Sequence, residues 1–193
     1  MKHGRFVSFE GIEGCGKTTQ IALLSDVLTN RAIAHSVTRE PGGTAVGEGI
    51  RRILLHSETI HLTPAAELLL FYASRSQNIL EKIEPALAKG EVVICDRFYH
   101  ASMAYQGYGR GIPIDFIEKL TDLVCGERRP EITILLDIEP EVGLPLPQSV
   151  RYARESPDVW GRTGNSNPDP AESKSHRCRC DGRYPRSRSY HRR

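Results

Sequence analysis

The sequence predicts an α/β domain built on a parallel sheet with helices on both faces. Three observations lead there. Val92-Val93-Ile94-Cys95-Asp96 and Ile132-Thr133-Ile134-Leu135-Leu136-Asp137 are continuous apolar runs rather than alternating ones, as expected for strands buried on both faces. Segments of helical spacing separate such runs, giving the alternation of a doubly wound sheet. The first apolar run, Phe6-Val7-Ser8-Phe9-Glu10, leads through a glycine-rich segment into a helix.

Taken in order, residues 6–10 form a short strand, and residues 19–28 a helix with Ile21, Leu24 and Leu28 on one face. Ser36-Val37-Thr38-Arg39 reads as a second strand. It ends in Arg39-Glu40-Pro41-Gly42-Gly43-Thr44, where a proline and two glycines force a loop. Helical spacing resumes at Val46, Ile50, Ile53 and Leu54. A long helix starts at Thr63-Pro64, with Thr63 as N-cap, Pro64 at the first position and Glu67 in the first turn. Its apolar positions Leu68, Leu69, Phe71, Tyr72, Ile79, Leu80 and Ile83 recur at three and four. Pro85 is placed to kink it and Gly90 to cap its C-terminus. After the strand at 92–96, residues 97–110 read as a polar loop. A helix around 116–124 and a fully buried strand at 132–137 follow.

At 193 residues the chain is one domain, or one domain plus a tail. Charge divides it. Residues 1–144 hold 15 basic and 19 acidic side chains, and residues 145–193 hold 11 and 5. The latter segment contains ten arginines and six prolines, but only Leu146, Val150 and Val159 from the Ile/Leu/Val/Phe/Met group. Such a composition cannot offset about 1–2 kcal/mol of backbone entropy per residue, so the tail is expected to be mostly disordered. Its arginines have little aromatic interleaving, which argues against nucleic-acid binding. The five cysteines fit neither a zinc site nor a disulfide framework, and Cys95 and Cys125 are expected to pack as small apolar groups. No apolar run approaches the ~18 residues needed to span a bilayer. The N-terminal residues show no signal peptide, which makes the cytoplasm the expected location.

The chemistry is concentrated in Gly11-Ile12-Glu13-Gly14-Cys15-Gly16-Lys17-Thr18, a complete G-x-x-x-x-G-K-[ST] segment between a strand and a helix. Its glycines let successive N–H groups turn inward on a polyphosphate. The helix N-terminus adds partial positive charge and Lys17 a full one. The Thr18 hydroxyl is a candidate ligand for magnesium. Asp96-Arg97 ends a strand beside this loop: the carboxylate suits a magnesium ion held through water, the arginine a bidentate phosphate contact. Arg39 and Arg75 are further arginines for a second phosphorylated substrate. Phe71 and Arg75 share a helix face at i and i+4, where a ring and a guanidinium can take a flat base. Tyr105 and Gln106 add a phenol and an amide.

Together these residues resemble the bacterial thymidylate kinase family. The resemblance runs through Phe9 to Thr19, through Arg39-Glu40-Pro41-Gly42-Gly43-Thr44, and through Asp96-Arg97-Phe98 with Ser102. It continues in Ala104-Tyr105-Gln106-Gly107, Leu136-Asp137 and Pro140-Glu141-Val142-Gly143-Leu144. The motifs follow the family's order and spacing over about residues 5–144. The resemblance implies a P-loop kinase fold, transfer of the ATP γ-phosphoryl to dTMP with Mg2+, and a homodimer. Gly11, Ile12, Glu13, Gly14, Cys15, Gly16, Lys17 and Thr18 would hold ATP. Glu13 would also approach the deoxyribose 3′-hydroxyl. Phe71 would stack on thymine and Arg75 bond its edge. Arg39 and Arg97 would hold the dTMP phosphate, with Arg97 between donor and acceptor. Tyr105 would crowd the sugar 2′ position, and Ser102 and Gln106 would complete the pocket. Lys17 and Arg97 would be the catalytic pair, and Thr18 and Asp96 the metal-side groups.

After Leu144 the resemblance implies a helix, an arginine-bearing lid, a strand and a closing helix, none recognisable in residues 145–193. The expected organisation is a kinase domain at 1–144, incomplete at its C-terminus, and an aberrant basic tail at 145–193. The change in composition reads as translation out of frame, the alternative being a divergent basic tail. Low activity is expected without the lid. The competing functions are another nucleotide kinase on this fold, and a non-catalytic nucleotide- or nucleic-acid-binding protein.

Overall fold

The computed structural model describes residues 4–56 and 61–143; the segment 145–193 lies outside the described residues, as does everything expected of it. Among the described residues four parallel strands form one sheet: β1 (Arg5–Glu10), β2 (His35–Arg39), β3 (Val92–Asp96) and β4 (Ile132–Leu135), in the order β2-β3-β1-β4. The register sets Phe9 and Arg39 on either side of Asp96. The C-terminal ends of β1, β2 and β3 therefore meet at one edge, where ligands bind in open α/β sheets.

The helices are α1 (Lys17–Asn30), α2 (Ala45–His56), α3 (Pro64–Asn78), α4 (Glu84–Ala88), α5 (Tyr99–Ser102), α6 (Ile114–Cys125) and α7 (Pro140–Gly143). Side chains alternate across the sheet. Phe6, Val93 and Cys95 therefore pack on one face with Ile79, Ile83, Ala86, Phe98 and Cys125. Val7, Phe9 and Ile94 pack on the other with Ile21, Leu24 and Leu28 of α1. Both faces are covered by helices, as the continuous apolar run of β3 requires. Cys95 and Cys125 are free thiols in this core. A third cluster, Leu68, Tyr72 and Ile117, ties α3 to α6, and the Tyr72 hydroxyl bonds Thr121 at 2.6 Å.

The local signals hold at both ends of the long helical stretch. The Thr63 hydroxyl accepts from the Ala66 N–H at 3.3 Å, with Pro64 at the first position. At the other end Gly90 has φ 78°, Gly90 N–H bonds Leu87 C=O at 2.9 Å and Glu91 N–H bonds Ala86 C=O at 3.0 Å. That pair of bonds is a Schellman cap. Pro85 acts through the turn before it: Ile79–Ile83 is π-helical and joins α3 to α4. Proline lacks an N–H and clashes with the carbonyl four residues back, and a widened turn removes the conflict.

Two expectations are corrected. Residues 97–110 are mostly helical, with α5 running into a π-helical stretch at Met103–Gly109. A π-helix lacks the 3.6-residue repeat, so the sequence pattern does not announce it. The strand expected to be fully buried at 132–137 is shorter and largely exposed, with Ile132 55% and Leu135 65% accessible. It pairs with β1 and forms the sheet edge among the described residues. A continuous apolar run reports parallel pairing but not a strand's place in the sheet.

Candidate active site

The loop between β1 and α1 is shaped by close backbone approach. Gly14 has φ 75°, and a Cβ on it would lie 2.1 Å from the Gly143 carbonyl oxygen. Gly16, with φ 90°, stands in the left-handed region at the N-cap of α1. Inside this loop Lys17 is 7% exposed. Its Nζ donates to the carbonyls of Gly11 at 2.9 Å and Ile12 at 2.7 Å. Burial, and next the charge of Arg97, hold the Lys17 pKa below its ordinary value.

Arg97 follows β3 with φ 66°, a conformation non-glycine residues seldom adopt. The turn keeps its N–H on the Phe9 carbonyl at 2.9 Å. It also brings Nη1 to the Gly11 carbonyl at 2.9 Å and the guanidinium to 5.6 Å from the Tyr105 ring. Burial opposes the Arg97 charge, but Tyr105, Asp96, Glu10 and Glu13 together hold its pKa above the ordinary value. Beneath this turn, Glu10 accepts the Phe98 N–H at 2.8 Å.

A cavity of about 720 Å³ opens over these loops. Glu13, Gly14, Gly16, Lys17, Thr18, Arg39, Phe71, Arg75, Asp96, Arg97, Tyr105 and Gln106 all line it. Gly11, Ile12, Cys15 and Ser102 do not. Ser102 is nevertheless buried and accepts from Arg75 Nη2 at 3.1 Å. Gln106 is buried and donates to Glu67 at 2.7 Å, while Arg110 reaches the other Glu67 oxygen at 2.9 Å. Arg39 borders the cavity, and its Nη2 donates to both Glu48 carboxylate oxygens at 3.1 Å.

Arg75 is 1% exposed. Its Nε donates to Glu40 at 2.7 Å, and its guanidinium carbon lies 4.5 Å from the Tyr72 ring centroid and 5.2 Å from that of Phe98. Burial pushes the Glu40 carboxyl up, against the lowering influence of Arg75 and Asn78.

Arg51 was not singled out from the sequence, yet it lines the same cavity. Its Nη1 donates to the Pro41 carbonyl at 2.8 Å. Its pKa is lowered, first by burial and next by the positive charge of Arg39, with Arg97 adding to it. Cations that repel one another in this way are relieved by an anion between them. The sequence signal was faint: Arg51 sits on α2 away from the apolar positions, where a solvated face is the ordinary expectation.

For magnesium, Asp96 Oδ1 is buried without a hydrogen-bond partner, and Asp96 and Thr18 line the same cavity. An orphaned carboxylate oxygen fits an acceptor for metal-bound water. Among the described residues no group of three or more His, Cys, Asp or Glu side chains could hold a metal ion.

Comparison with known proteins places this architecture. The family model described as thymidylate kinase matches residues 9–148. The chain is 51% identical over 141 residues to a thymidylate kinase from Geobacter sp. (strain M21), covering 73% of this chain and 63% of that protein. It is 52% identical over 139 residues to one from Synechococcus sp. (strain JA-3-3Ab), covering 72% and 67%. The crystal structure of thymidylate kinase from Ehrlichia chaffeensis superposes with a TM-score of 0.65 at 41% identity, covering 70% of this chain and 72% of that one. The chain thus spans somewhat under two thirds of the length of the Geobacter relative. The match takes in the phosphate loop, the Arg39–Thr44 motif residues, the Asp96-Arg97 turn and the helices carrying Phe71, Arg75 and Gln106. On that ground the chain belongs to the thymidylate kinase family.

Proposed function

We propose that the chain transfers the γ-phosphoryl group of ATP to dTMP, giving dTDP and ADP. One observation carries the reading. A single cavity is lined by four cations, Lys17, Arg39, Arg51 and Arg97, and also by the Phe71 ring and the buried Arg75 guanidinium. The cations suit two phosphorylated substrates brought together, and the ring and guanidinium suit a base.

In the reaction an oxygen of the dTMP phosphate attacks the γ-phosphorus as the bond to the β,γ-bridging oxygen breaks, and ADP leaves. Such transfer needs in-line placement and charge neutralisation more than a strong base. Residues 11–18 hold the donor phosphates through backbone N–H groups, with Lys17 as the main charge. Arg97, tied to the same loop through Gly11, neutralises charge between donor and acceptor. Arg39 and Arg51 hold the acceptor phosphate. Phe71 stacks on thymine, Arg75, bonded to Ser102, meets its edge, and Gln106 completes the pocket. Glu13 meets the 3′-hydroxyl, and Tyr105 crowds the 2′ position. When bound, magnesium neutralises the donor phosphates, and Thr18 and, through water, Asp96 would hold it.

The reading extends to a homodimer and to residues 1–144 as the kinase domain, both following the resemblance, and to a cytoplasmic location. Among the described residues no helix is long and apolar enough to cross a membrane. A coupled ADP-release assay tests the proposal. dTMP should be preferred to dCMP, dGMP and UMP. Equal use of all four, or nucleotide-independent ATP hydrolysis alone, would overturn it.

A further inference from the structure

Glu40 directly follows Arg39 at the end of β2, and both of its carboxylate oxygens are engaged by protein groups. One accepts from Arg75 Nε at 2.7 Å, the other from the Asn78 amide at 3.2 Å. Asn78 is itself held by the Thr38 hydroxyl at 2.7 Å. Arg75 Nη2 is engaged by Ser102, and the guanidinium lies against the rings of Tyr72 and Phe98. Its remaining nitrogen, Nη1, is buried without a hydrogen-bond partner, on a side chain that lines the cavity. A guanidinium is a rigid plane, so fixing Nε and Nη2 also fixes where the Nη1 protons point.

We infer that Glu40 is the positioning residue for base recognition: by holding Arg75 it presents Nη1 as a fixed donor, and so sets the preference for dTMP over dCMP. The inference rests on the proposed function and deepens it. Thymine offers a carbonyl at C4 and cytosine an amino group. A donor held in place donates to the first and is left unpaired, in contact with another donor, by the second. Leaving a buried donor unpaired is the strong form of discrimination. A guanidinium free to swing would soften that penalty. Two neighbouring residues thereby serve both ends of one nucleotide, Arg39 at the phosphate and Glu40, through Arg75, at the base.

The test is calorimetric titration of the full-length chain with dTMP, dCMP and thymidine, with circular dichroism to verify folding. The dTMP:dCMP affinity ratio reads the base end, and the dTMP:thymidine ratio reads the phosphate end. Glu40→Gln keeps the shape, and rotation of the Asn78 amide can satisfy both groups. It keeps the bond to Arg75 but removes the carboxylate charge that strengthens it, and should lower the dTMP:dCMP ratio by about threefold to tenfold. The dTMP:thymidine ratio should move by less than about twofold. Glu40→Asp keeps the charge but is one methylene short, and should lower the dTMP:dCMP ratio even if Glu40→Gln does not fold. In an Arg75→Met background Glu40→Gln should have no further effect on that ratio. A folded Glu40 variant with the parent's dTMP:dCMP ratio overturns the inference alone. So do equal losses in both ratios, or failure of both variants to fold, which mark a general structural role. A parent chain with no preference for dTMP overturns the proposed function and this inference with it.

Discussion

Lys17 and Arg97 share an acceptor: Lys17 Nζ and Arg97 Nη1 each donate to the Gly11 carbonyl at 2.9 Å. One residue belongs to the phosphate loop and the other to the turn after β3. Their common contact ties the phosphate loop to the turn after β3. It also holds two cations side by side, an arrangement that favours a polyanion in the cavity.

Lys17→Ala should therefore remove both a substrate-facing charge and a tie inside its own loop. Turnover should fall by about 10²–10³, the usual loss when one preorganised electrostatic partner is removed. The far-ultraviolet spectrum should be unchanged, since Lys17 packs on the loop and not in the apolar core clusters. Unaltered kcat in the folded variant would contradict the phosphate-loop assignment.

Phe71→Ala should weaken dTMP binding by about 1–3 kcal/mol, the range for aromatic stacking on a base. ATP binding should be nearly unaffected. The half-buried ring lines the cavity and is absent from the three core clusters. Titration with each nucleotide separates the outcomes: equal losses for both would make Phe71 a packing residue instead.

What the sequence disclosed and what it hid divide by range. The phosphate loop, the Thr63 cap and the Gly90 cap each depend on residues within a few positions of one another, so spacing alone revealed them. The helical course of residues 99–109 stayed hidden because its π-helical turns carry no 3.6-residue repeat. The exposure of β4 stayed hidden because a strand's neighbours are set by topology. Most of the site's second layer was also invisible. Glu40 meets Arg75 across 35 residues, Thr38 meets Asn78 across 40, and Gln106 meets Glu67 across 39. Arg51 entered the site only when α2 packed against α3.

Glu10 gives the fold a pH dependence with a definite sign. Burial pushes its carboxyl up to about 7, against the lowering effects of the Phe98 N–H, Arg97 and Arg75. Unfolded, it returns to its ordinary value of 4.5. Between these values the native chain binds more protons than the unfolded one, so stability falls as pH rises from about 4.5 to about 7 and then levels. The change is on the order of 3 kcal/mol. Glu10→Gln retains an oxygen for the Phe98 N–H and removes the titration. Urea unfolding at about pH 5 and about pH 8 should show the variant gaining on the parent with rising pH. A constant difference between the two would rule out Glu10 as the source.

Gly143 and Gly49 provide a matched pair, because both are helical glycines with different surroundings. A Cβ at Gly143 would meet Ile12 Cδ1 at 2.9 Å and the Glu13 carbonyl oxygen at 3.0 Å, both in the phosphate loop. A Cβ at Gly49 would meet only the Arg52 Nη2 atom, at 4.0 Å. Ile12 can rotate away, but the Glu13 carbonyl moves only if the loop moves. Gly143→Ala should therefore displace the loop that receives the donor phosphates, at a cost of about 1–3 kcal/mol for crowding of this kind. The KM for ATP should rise about two- to tenfold if about half of that cost falls on the bound state. Gly49→Ala should leave ATP binding unchanged and stabilise the chain by about 0.4–1 kcal/mol, since alanine loses less backbone entropy in a helix. The same substitution thus acts in opposite directions at the two sites. An ATP KM that stays at the parent's value in Gly143→Ala would mean that α7 does not brace the phosphate loop.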